Sequence, residues 1–478
     1  MATANTAPNR VNTTALSHQG YGIHRDDFTI SDQLDRRTLV RTLAEQIATD
    51  QAPLVVGLHG DWGSGKTSAL RAMQYHLCGT NPHNEKLPAD DMDGKVYSGH
   101  VVTVWFEAWR YQNEAVPVVA LLQEMRRQLS TWRKGLTTTQ KLATVAAESL
   151  LDGLDKAAKL IGLESLPLAA KDIRSTGERY EREHLEQSLP TDTVQEFLKQ
   201  TIQNLLPDQV AGLPTPRLVV FIDDLDRCSS ESAYRLLEGL KIYLQLDNCV
   251  FVLGMNQQVV VEAIAERLKK DDADRAVVLR AEAYLEKLCS NIWRLPLPRQ
   301  PVVYFASLVD NEAARSAIES ACSGTPPCPS FLPPNPRRLR ALANPYNRLL
   351  ASATAALQVS ASAGAARYQQ LLVVAYFYQF HSEIYQRWHY DSNFLLRLRS
   401  WLNGSLQADD KTEPHLARLI LPTQVLAGDP SSPVPVHSVE SRYPDPAAPG
   451  ILWIAPLLQI TLANATPGDF DPLLKLAF

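Results

Sequence analysis

An octapeptide at 60–67, GDWGSGKT, matches the phosphate-binding pattern G-x-x-x-x-G-K-[ST]. In such a loop, glycines let successive backbone N–H groups turn toward phosphate oxygens, and the following helix adds its dipole. Lys66 is expected to reach the β and γ phosphates, and the Thr67 hydroxyl to ligate Mg²⁺. The predicted nucleotide contacts are Gly60, Asp61, Trp62, Gly63, Ser64, Gly65, Lys66, Thr67 and Ser68.

A second motif, LVVFIDDLDR at 218–227, is an apolar segment that ends in carboxylates. Acids at the C-terminal edge of a parallel sheet would lie beside the phosphates. Asp223 is predicted to hold Mg²⁺ through water, and Asp224 to orient or deprotonate the attacking water. By itself the segment equally fits a strand that runs into an acidic turn. Together the two motifs predict a P-loop NTPase.

Several arginines have two open interpretations. Arg227 either reaches a neighbouring subunit as an arginine finger or pairs with Asp223 or Asp226. A later cluster either stabilises phosphate charge, with Arg337 as the preferred catalytic candidate, or forms a solvated basic face. Its members are Arg337, Arg338 and Arg340.

These residues need an α/β framework to position them. Short β-branched segments at 54–59, 101–106, 218–223 and 249–255, with a weaker fifth at 291–296, are typical of buried parallel strands. Helical periodicity separates them, as at 230–245, and further helices are predicted at 114–129 and 193–206. Alternation of strands and helices predicts a central, mostly parallel sheet flanked by helices.

The chain divides into predicted regions by composition. A polar tail at 1–20 precedes an NTPase domain at 21–300 that contains a charged helical insert at about 130–190. Prolines between 326 and 336 mark a boundary, so a small helical lid is expected at 301–350. A mostly helical C-terminal domain is expected at 351–478.

Composition limits the classes of function. The chain has 478 residues and a net charge of −5, which argues against binding nucleic acid by generic phosphate attraction. Its six cysteines form no C-x-x-C pair, so neither a zinc site nor a disulfide scaffold is favoured. No secretory leader or credible transmembrane segment is found. We therefore expect a cytoplasmic protein that does not enter the membrane.

Six phrases in order resemble the KAP family of P-loop NTPases over about residues 26–347, and IDDLDRC with the following LLEGLK is the most distinctive. The others are GLHGDWGSGKTS, WFEAWRYQNE, VFVLGMNQQVVVEAI, AYLEKLCSNIWRLPLP and NPRRLRALAN. The resemblance implies the additional-strand class, with an extra strand between the phosphate-loop strand and the acidic strand. It also implies hydrolysis by an activated water, and the charged insert resembles that of a member without membrane helices.

Two positions depart from the resemblance. Glu107 stands where relatives often have Asn or Asp, and it either senses the γ-phosphate for a partner surface or caps the next helix. Asn256 follows the fourth strand at a position that resembles a sensor residue, where the family more often has Asp.

Trp62, Trp105 and Trp109 are predicted to anchor the core rather than to stack on bases.

The leading hypothesis is an ATPase that acts as a conformational switch or assembly factor. ATP is favoured over GTP because no N-K-x-D tetrapeptide follows the fourth strand. Protein partners are expected to bind the C-terminal half and the insert, and a homo-oligomer is an open alternative. The resemblance suggests a role in bacterial antiviral defence. The alternatives are a nucleotide-dependent oligomeric scaffold with negligible basal hydrolysis, and a nucleic-acid-stimulated ATPase that uses the basic segment 337–348.

Overall fold

The computed structural model describes part of the chain. The chain divides into two compact units. One unit comprises residues 26–300 and 334–337, and the other comprises residues 1–25, 301–333 and 338–478. Most of the predicted insert and the predicted helix at 193–206 lie outside the described residues. Those described are 24, 27–87, 94–114, 117–134, 199, 202, 206, 214–243, 246–268, 274–298, 300–322, 332–357, 364–391, 393–402, 461 and 467–475.

The first unit is built on five parallel strands, which confirms the predicted α/β class. Their spatial order is β2-β3-β4-β1-β5. β4 thus lies between the phosphate-loop strand β1 and the acidic strand β3, as the resemblance implies. The strands are β1 Leu54–His59, β2 Val101–Glu107, β3 Arg217–Asp223, β4 Cys249–Met255 and β5 Asn291–Arg294.

Helices cover both faces of this sheet. The first unit contains α1 Arg37–Thr49, α2 Lys66–Cys78, α3 Pro117–Lys134, α4 Ser230–Tyr243, α5 Gln257–Leu268 and α6 Asp274–Leu288. α1 and α2 pack on one face, against alternate strand residues such as Val219 and Val252. α3 to α6 pack on the other face, against residues such as Val220 and Leu253. Burial of both faces explains why the strand sequences are nearly continuous apolar runs.

The second unit is helical where it is described. Its core contains large, fully buried side chains, among them Phe305, Tyr346, Tyr376 and Trp388. In the part of the chain that the structure describes, we find no helix with the length and hydropathy of a transmembrane span. The remaining helices are α7 Pro301–Ser307, α8 Glu312–Cys322, α9 Pro336–Leu357, α10 Ala365–Phe380, α11 Ser382–Tyr390, α12 Phe394–Leu402 and α13 Asp471–Leu474.

Candidate functional site

The loop between β1 and α2 adopts a backbone that requires glycine. Gly63 and Gly65 have φ values of +80° and +94°, in the left-handed region that residues with a Cβ rarely enter. The Gly60 N–H donates to the Met255 carbonyl at 3.2 Å, which ties the start of the loop to the end of β4. Because α2 begins directly after Gly65, the loop is followed by a helix N-terminus that favours anions.

The Lys66 ammonium lies over this loop. Its Nζ donates to the carbonyls of Gly60 at 2.8 Å and Asp61 at 3.3 Å. It also forms an ion pair with Asp226 at 3.2 Å, and both side chains are less than a tenth exposed. Lys66 therefore has an acceptor for each of its three N–H donors within the protein.

Asp226 is a site residue that the sequence analysis left without a role in metal binding or catalysis. It lies in the 3₁₀ turn Leu225–Arg227, directly after the acidic strand. The third acid of the phrase DDLD is a visible signal, but its spacing alone does not say which acid turns toward Lys66. The structure gives that position to Asp226.

Asp223 and Thr67 meet across the sheet, although they come from β3 and α2. The Thr67 hydroxyl lies near the Asp223 carboxylate and opposes a rise in the pKa of that group. Burial, with a smaller contribution from the Asp224 charge, raises the pKa of Asp223 to about 6. Asp223 Oδ1 is buried without a hydrogen-bond partner in the described part of the chain. A Cβ at Gly254 would lie 2.8 Å from this oxygen, so the strand between them leaves room only for glycine.

This pair of side chains fits the magnesium ion that the two motifs imply. Mg²⁺ prefers hard oxygen ligands and usually keeps several waters and phosphate oxygens. A buried carboxylate oxygen without a partner, next to a hydroxyl, is a group that a cation would satisfy. Thr67 and Asp223, the predicted ligands, are therefore the residues that would hold it.

Asp224 is held by a partner that differs from the prediction. Arg227 Nε lies 2.9 Å from Asp224 Oδ1, so the predicted pairing of Arg227 with Asp223 or Asp226 is wrong. The 3₁₀ turn that starts after Asp224 brings residues three apart together, and Asp224 itself has a φ of +59°. Burial raises the pKa of Asp224, while the Arg227 charge opposes that rise.

Glu107 ends β2 beside the acidic strand, in register with Asp223. It forms an ion pair with Arg110 and makes no capping hydrogen bond to the 3₁₀ turn Ala108–Tyr111 that follows. The helix-cap interpretation is therefore wrong. Glu107 also lines a cavity of about 450 Å³, together with Arg71 and Arg110, and its charge contributes to the raised pKa of Asp224.

Asn256 follows Met255 at the end of β4 and caps the next helix. Its Oδ1 accepts the backbone N–H of Gln258, in the first turn of α5, at 3.0 Å. The adjacent Gln257 N–H donates to His59 Nδ1 at 2.9 Å, which links this cap to the end of β1. Asn256 thus has a structural role that the sequence analysis did not predict.

The three predicted arginines divide between the two units. The Arg337 guanidinium lies 4.4 Å from the Trp62 ring centre, and its backbone N–H donates to the Gly63 carbonyl at 3.3 Å. Arg340 instead donates to the Tyr304 hydroxyl at 2.7 Å, and Arg338 lies 6.0 Å from the Phe380 ring centre. Both of those contacts lie in the helical unit. Arg338 and Arg340 therefore pack against aromatic residues and do not form a freely solvated basic face.

Two further residues contact the phosphate loop from distant parts of the sequence. Arg36 Nη1 donates to the Ser64 carbonyl at 2.7 Å, and Asn335 Nδ2 donates to the Trp62 carbonyl at 2.9 Å. Ser68, predicted as a nucleotide contact, accepts the Thr29 backbone N–H at 3.2 Å. No motif or periodicity marks Arg36. Asn335 begins the phrase NPRRLRALAN of the family resemblance, but the Asn-Pro pair by itself indicates only the start of α9.

The tryptophans differ in exposure. Trp105 is 6% exposed, and the Arg71 guanidinium carbon lies 3.4 Å from its ring centre. This burial agrees with the prediction that Trp105 anchors the core. Trp109 and Trp62 are 48% and 59% exposed, so that prediction is wrong for both. Each lies in a turn after a strand rather than within one, which explains why neither reaches the core.

Comparison with known proteins finds one matching family model and a solved structure of low similarity. The model of the KAP family P-loop domain matches residues 36–300. No curated protein sequence matches the chain. Among solved structures, the chain is similar to the Aeropyrum pernix ORC2 protein in its ADPNP–ADP complexes, with 11% identity and a TM-score of 0.34. That similarity covers 81% of this chain and 79% of the other.

Proposed function

Because the chain belongs to the KAP family of P-loop domains, a nucleotide-binding class, we propose that it binds ATP with Mg²⁺ and hydrolyses the γ-phosphate. One observation carries the proposal: Lys66 of the phosphate loop forms a buried ion pair, 3.2 Å long, with Asp226 of the acidic motif. In the proposed site, Gly60–Ser68 hold the phosphates, and Thr67 and Asp223 hold the metal. ATP rather than GTP follows from the absence of a guanine-reading tetrapeptide in the sequence.

The proposed reaction uses residues on both sides of the sheet edge. The oxygen of a water attacks the γ-phosphorus, the bond to the β–γ bridging oxygen breaks, and the water proton passes to Asp224. Lys66 would exchange one of its acceptors, Asp226 or a loop carbonyl, for a phosphate oxygen. A bound Mg²⁺ supplies charge neutralisation on the phosphates.

Arg337 and Asn256 are proposed to assist at the γ-phosphate. Support for Arg337 is its contact with Trp62 and Gly63 inside the loop. Support for Asn256 is its place directly after Met255, whose carbonyl binds the Gly60 N–H. Since the Asn256 side-chain oxygen caps α5, its amide N–H₂ group is the part available for such a contact.

The decisive test of the nucleotide site is Lys66→Ala. Loss of a charge-assisted contact worth ~1.5 to 3 kcal/mol should weaken ATP binding by roughly ten- to a hundredfold, as measured by calorimetry. Lys287→Ala, at an exposed lysine of α6, is the control and should bind ATP normally. Unchanged affinity in a folded Lys66→Ala protein would remove the site.

We further propose that hydrolysis drives a conformational switch or assembly step in which the C-terminal half contacts partner proteins, in bacterial antiviral defence. Support comes from the family resemblance alone. Pulldown from the native host in ATP and in ADP should recover a nucleotide-dependent set of proteins. The same recovery with both nucleotides would contradict the switch.

A scaffold that binds ATP but hydrolyses it negligibly is the second candidate. The ion pair between Asp224 and Arg227 favours it, because a carboxylate held by a guanidinium is a weaker base for water. Turnover measured with and without the partners recovered above separates the two functions.

A further inference from the structure

The phosphate loop has an unusual distribution of hydrogen bonds on its carbonyl groups. Three consecutive carbonyls, from Trp62 to Ser64, accept hydrogen bonds from residues outside the loop. Trp62 accepts from Asn335 Nδ2 at 2.9 Å, Gly63 from the Arg337 backbone N–H at 3.3 Å, and Ser64 from Arg36 Nη1 at 2.7 Å. The donors come from segments before β1 and after β5.

Fixing a carbonyl also fixes the next N–H group. In a trans peptide the C=O and N–H bonds lie in one plane and point in opposite directions. The Trp62 and Ser64 carbonyls turn toward Asn335 and Arg36, so the N–H groups of Gly63 and Gly65 turn the opposite way. These are the two loop glycines with positive φ, and inward N–H groups of this kind bind phosphate.

Arg36 is built into the fold as a bridge rather than as a surface charge. It is 7% exposed, and its Nη2 donates to the Pro296 carbonyl just beyond β5. Its own backbone is held by Asp32, which accepts the N–H groups of Arg36 at 3.0 Å and Arg37 at 2.8 Å. Burial lowers the pKa of Arg36 to about 10, so the guanidinium remains charged at neutral pH.

Asn335, like Arg36, is buried, and both polar atoms of its side-chain amide form hydrogen bonds. It is 2% exposed, and while its Nδ2 donates to Trp62, its Oδ1 accepts the Arg337 N–H at 3.1 Å. The same Arg337 N–H is shared with the Gly63 carbonyl. A Cβ at Gly63 would lie 2.9 Å from Asn335 Oδ1, so the amide packs directly on the loop.

We propose that Arg36 and Asn335 are positioning residues for phosphate binding: each holds one loop carbonyl and thereby directs the following glycine N–H toward the nucleotide phosphates. The inference rests on the proposed nucleotide site. In this proposal the orientation of the phosphate loop depends on two residues that lie outside the loop and outside the acidic motif. Neither side chain needs to contact the nucleotide.

The test uses the full-length protein and compares two buried arginines. Arg36→Met keeps most of the side-chain length but removes the donors, and we expect ADP affinity in Mg²⁺ to fall by about tenfold or more. Arg217→Met is the matched control, because Arg217 is 4% exposed and donates to the Ile47 and Asp50 carbonyls at 3.0 and 2.6 Å. It should lower the melting temperature comparably and leave ADP affinity unchanged.

Two more variants separate positioning from folding. Asn335→Asp keeps the acceptor for Arg337 but removes the donor for Trp62, so ADP affinity should fall. Its buried carboxylate should also lower the melting temperature, so its affinity is measured beside that of Arg217→Met at a temperature where both variants are folded. Arg36→Lys retains one donor for the Ser64 carbonyl and should recover part of the affinity lost in Arg36→Met. In steady-state hydrolysis the variants should raise KM more than they lower kcat.

The outcomes distinguish this inference from the function on which it rests. Normal ADP affinity in both Arg36→Met and Asn335→Asp, with loss in Lys66→Ala, would overturn the positioning role alone. Normal affinity in Lys66→Ala would remove the nucleotide site itself. If Arg36→Met does not fold, Asn335→Asp decides the question.

Discussion

The phosphate loop and the acidic edge of the sheet are held in different ways. Each carbonyl of the loop from Gly60 to Ser64 accepts a hydrogen bond from a defined donor. At the acidic edge, Asp223 has a buried oxygen without a partner in the described part of the chain. Asp224 depends on the partly exposed Arg227. The phosphate loop is therefore preorganised, whereas the Asp223 oxygen would gain a partner only when the proposed Mg²⁺ binds.

The largest effect is expected at the acidic edge. Asp224→Asn keeps size and a hydrogen-bonding oxygen but removes the charge that we propose accepts a proton from water. Turnover of ATP should fall by at least roughly a hundredfold, while ATP affinity stays near normal. Asp247→Asn, at an exposed residue before β4, is the control in the same phosphate-release assay. Near-normal hydrolysis in Asp224→Asn would move the base to Asp226 or Glu107.

A second prediction concerns the cost of keeping Asp223 buried. Its folded pKa of about 6 lies above the ordinary value of 3.8, so the folded state binds the proton more tightly than the unfolded state does. The resulting stability is present below about pH 4 and is lost as pH rises through about 6. In metal-free buffer at pH 8, Asp223→Asn should therefore unfold with a free energy higher by as much as about 3 kcal/mol.

The measurement for Asp223→Asn is urea denaturation at pH 5 and pH 8, in the presence of a chelator. The gain in stability should shrink at the lower pH, because wild-type Asp223 then becomes protonated. A variant less stable than wild type at pH 8 would show that the buried oxygen is not a source of instability. With Mg²⁺ present, the same substitution should weaken the metal dependence of ATP binding.

The smallest effect is expected for Arg227→Met. Its pair with Asp224 is partly exposed, and such pairs contribute about 0–1 kcal/mol to the free energy of unfolding. Arg36→Met should cost more, because it leaves the Ser64 and Pro296 carbonyls without their donors. Parallel denaturation of the two variants measures the contrast, and equal losses would show that both halves of the site are held alike.

Much of the framework could be predicted because its signals are local. Buried parallel strands require continuous β-branched runs, and the predicted 249–255 and 218–223 agree closely with β4 and β3. The phosphate loop could be predicted because Gly63 and Gly65 need positive φ and therefore glycine. In these segments the residue type follows from the backbone conformation or from burial on both faces.

The contacts that complete the site could not be predicted because they are long-range. The sequence separates Asn335 from Trp62 by 273 positions, and no periodicity relates them. Asp226 turns toward Lys66, and Arg227 toward Asp224, because of one 3₁₀ turn whose acids look equivalent in the sequence. The prediction that Trp62 and Trp109 anchor the core is wrong because an aromatic residue in a turn carries the same apolar signal as one in a strand.

Gly254 lies in β4, the strand that separates the phosphate-loop strand β1 from the acidic strand β3. Adjacent strands lie about 4.8 Å apart, so β4 doubles the separation between the strand that leads to Thr67 and the strand that ends in Asp223. Asp223 Oδ1 lies next to Gly254 of β4, which pairs with Leu58 of β1. A methyl group there would lie 2.6 Å from Leu70 Cδ1 and 2.8 Å from Asp223 Oδ1. A side chain at position 254 would therefore displace the Asp223 carboxylate or the Leu70 side chain, and glycine leaves both in place.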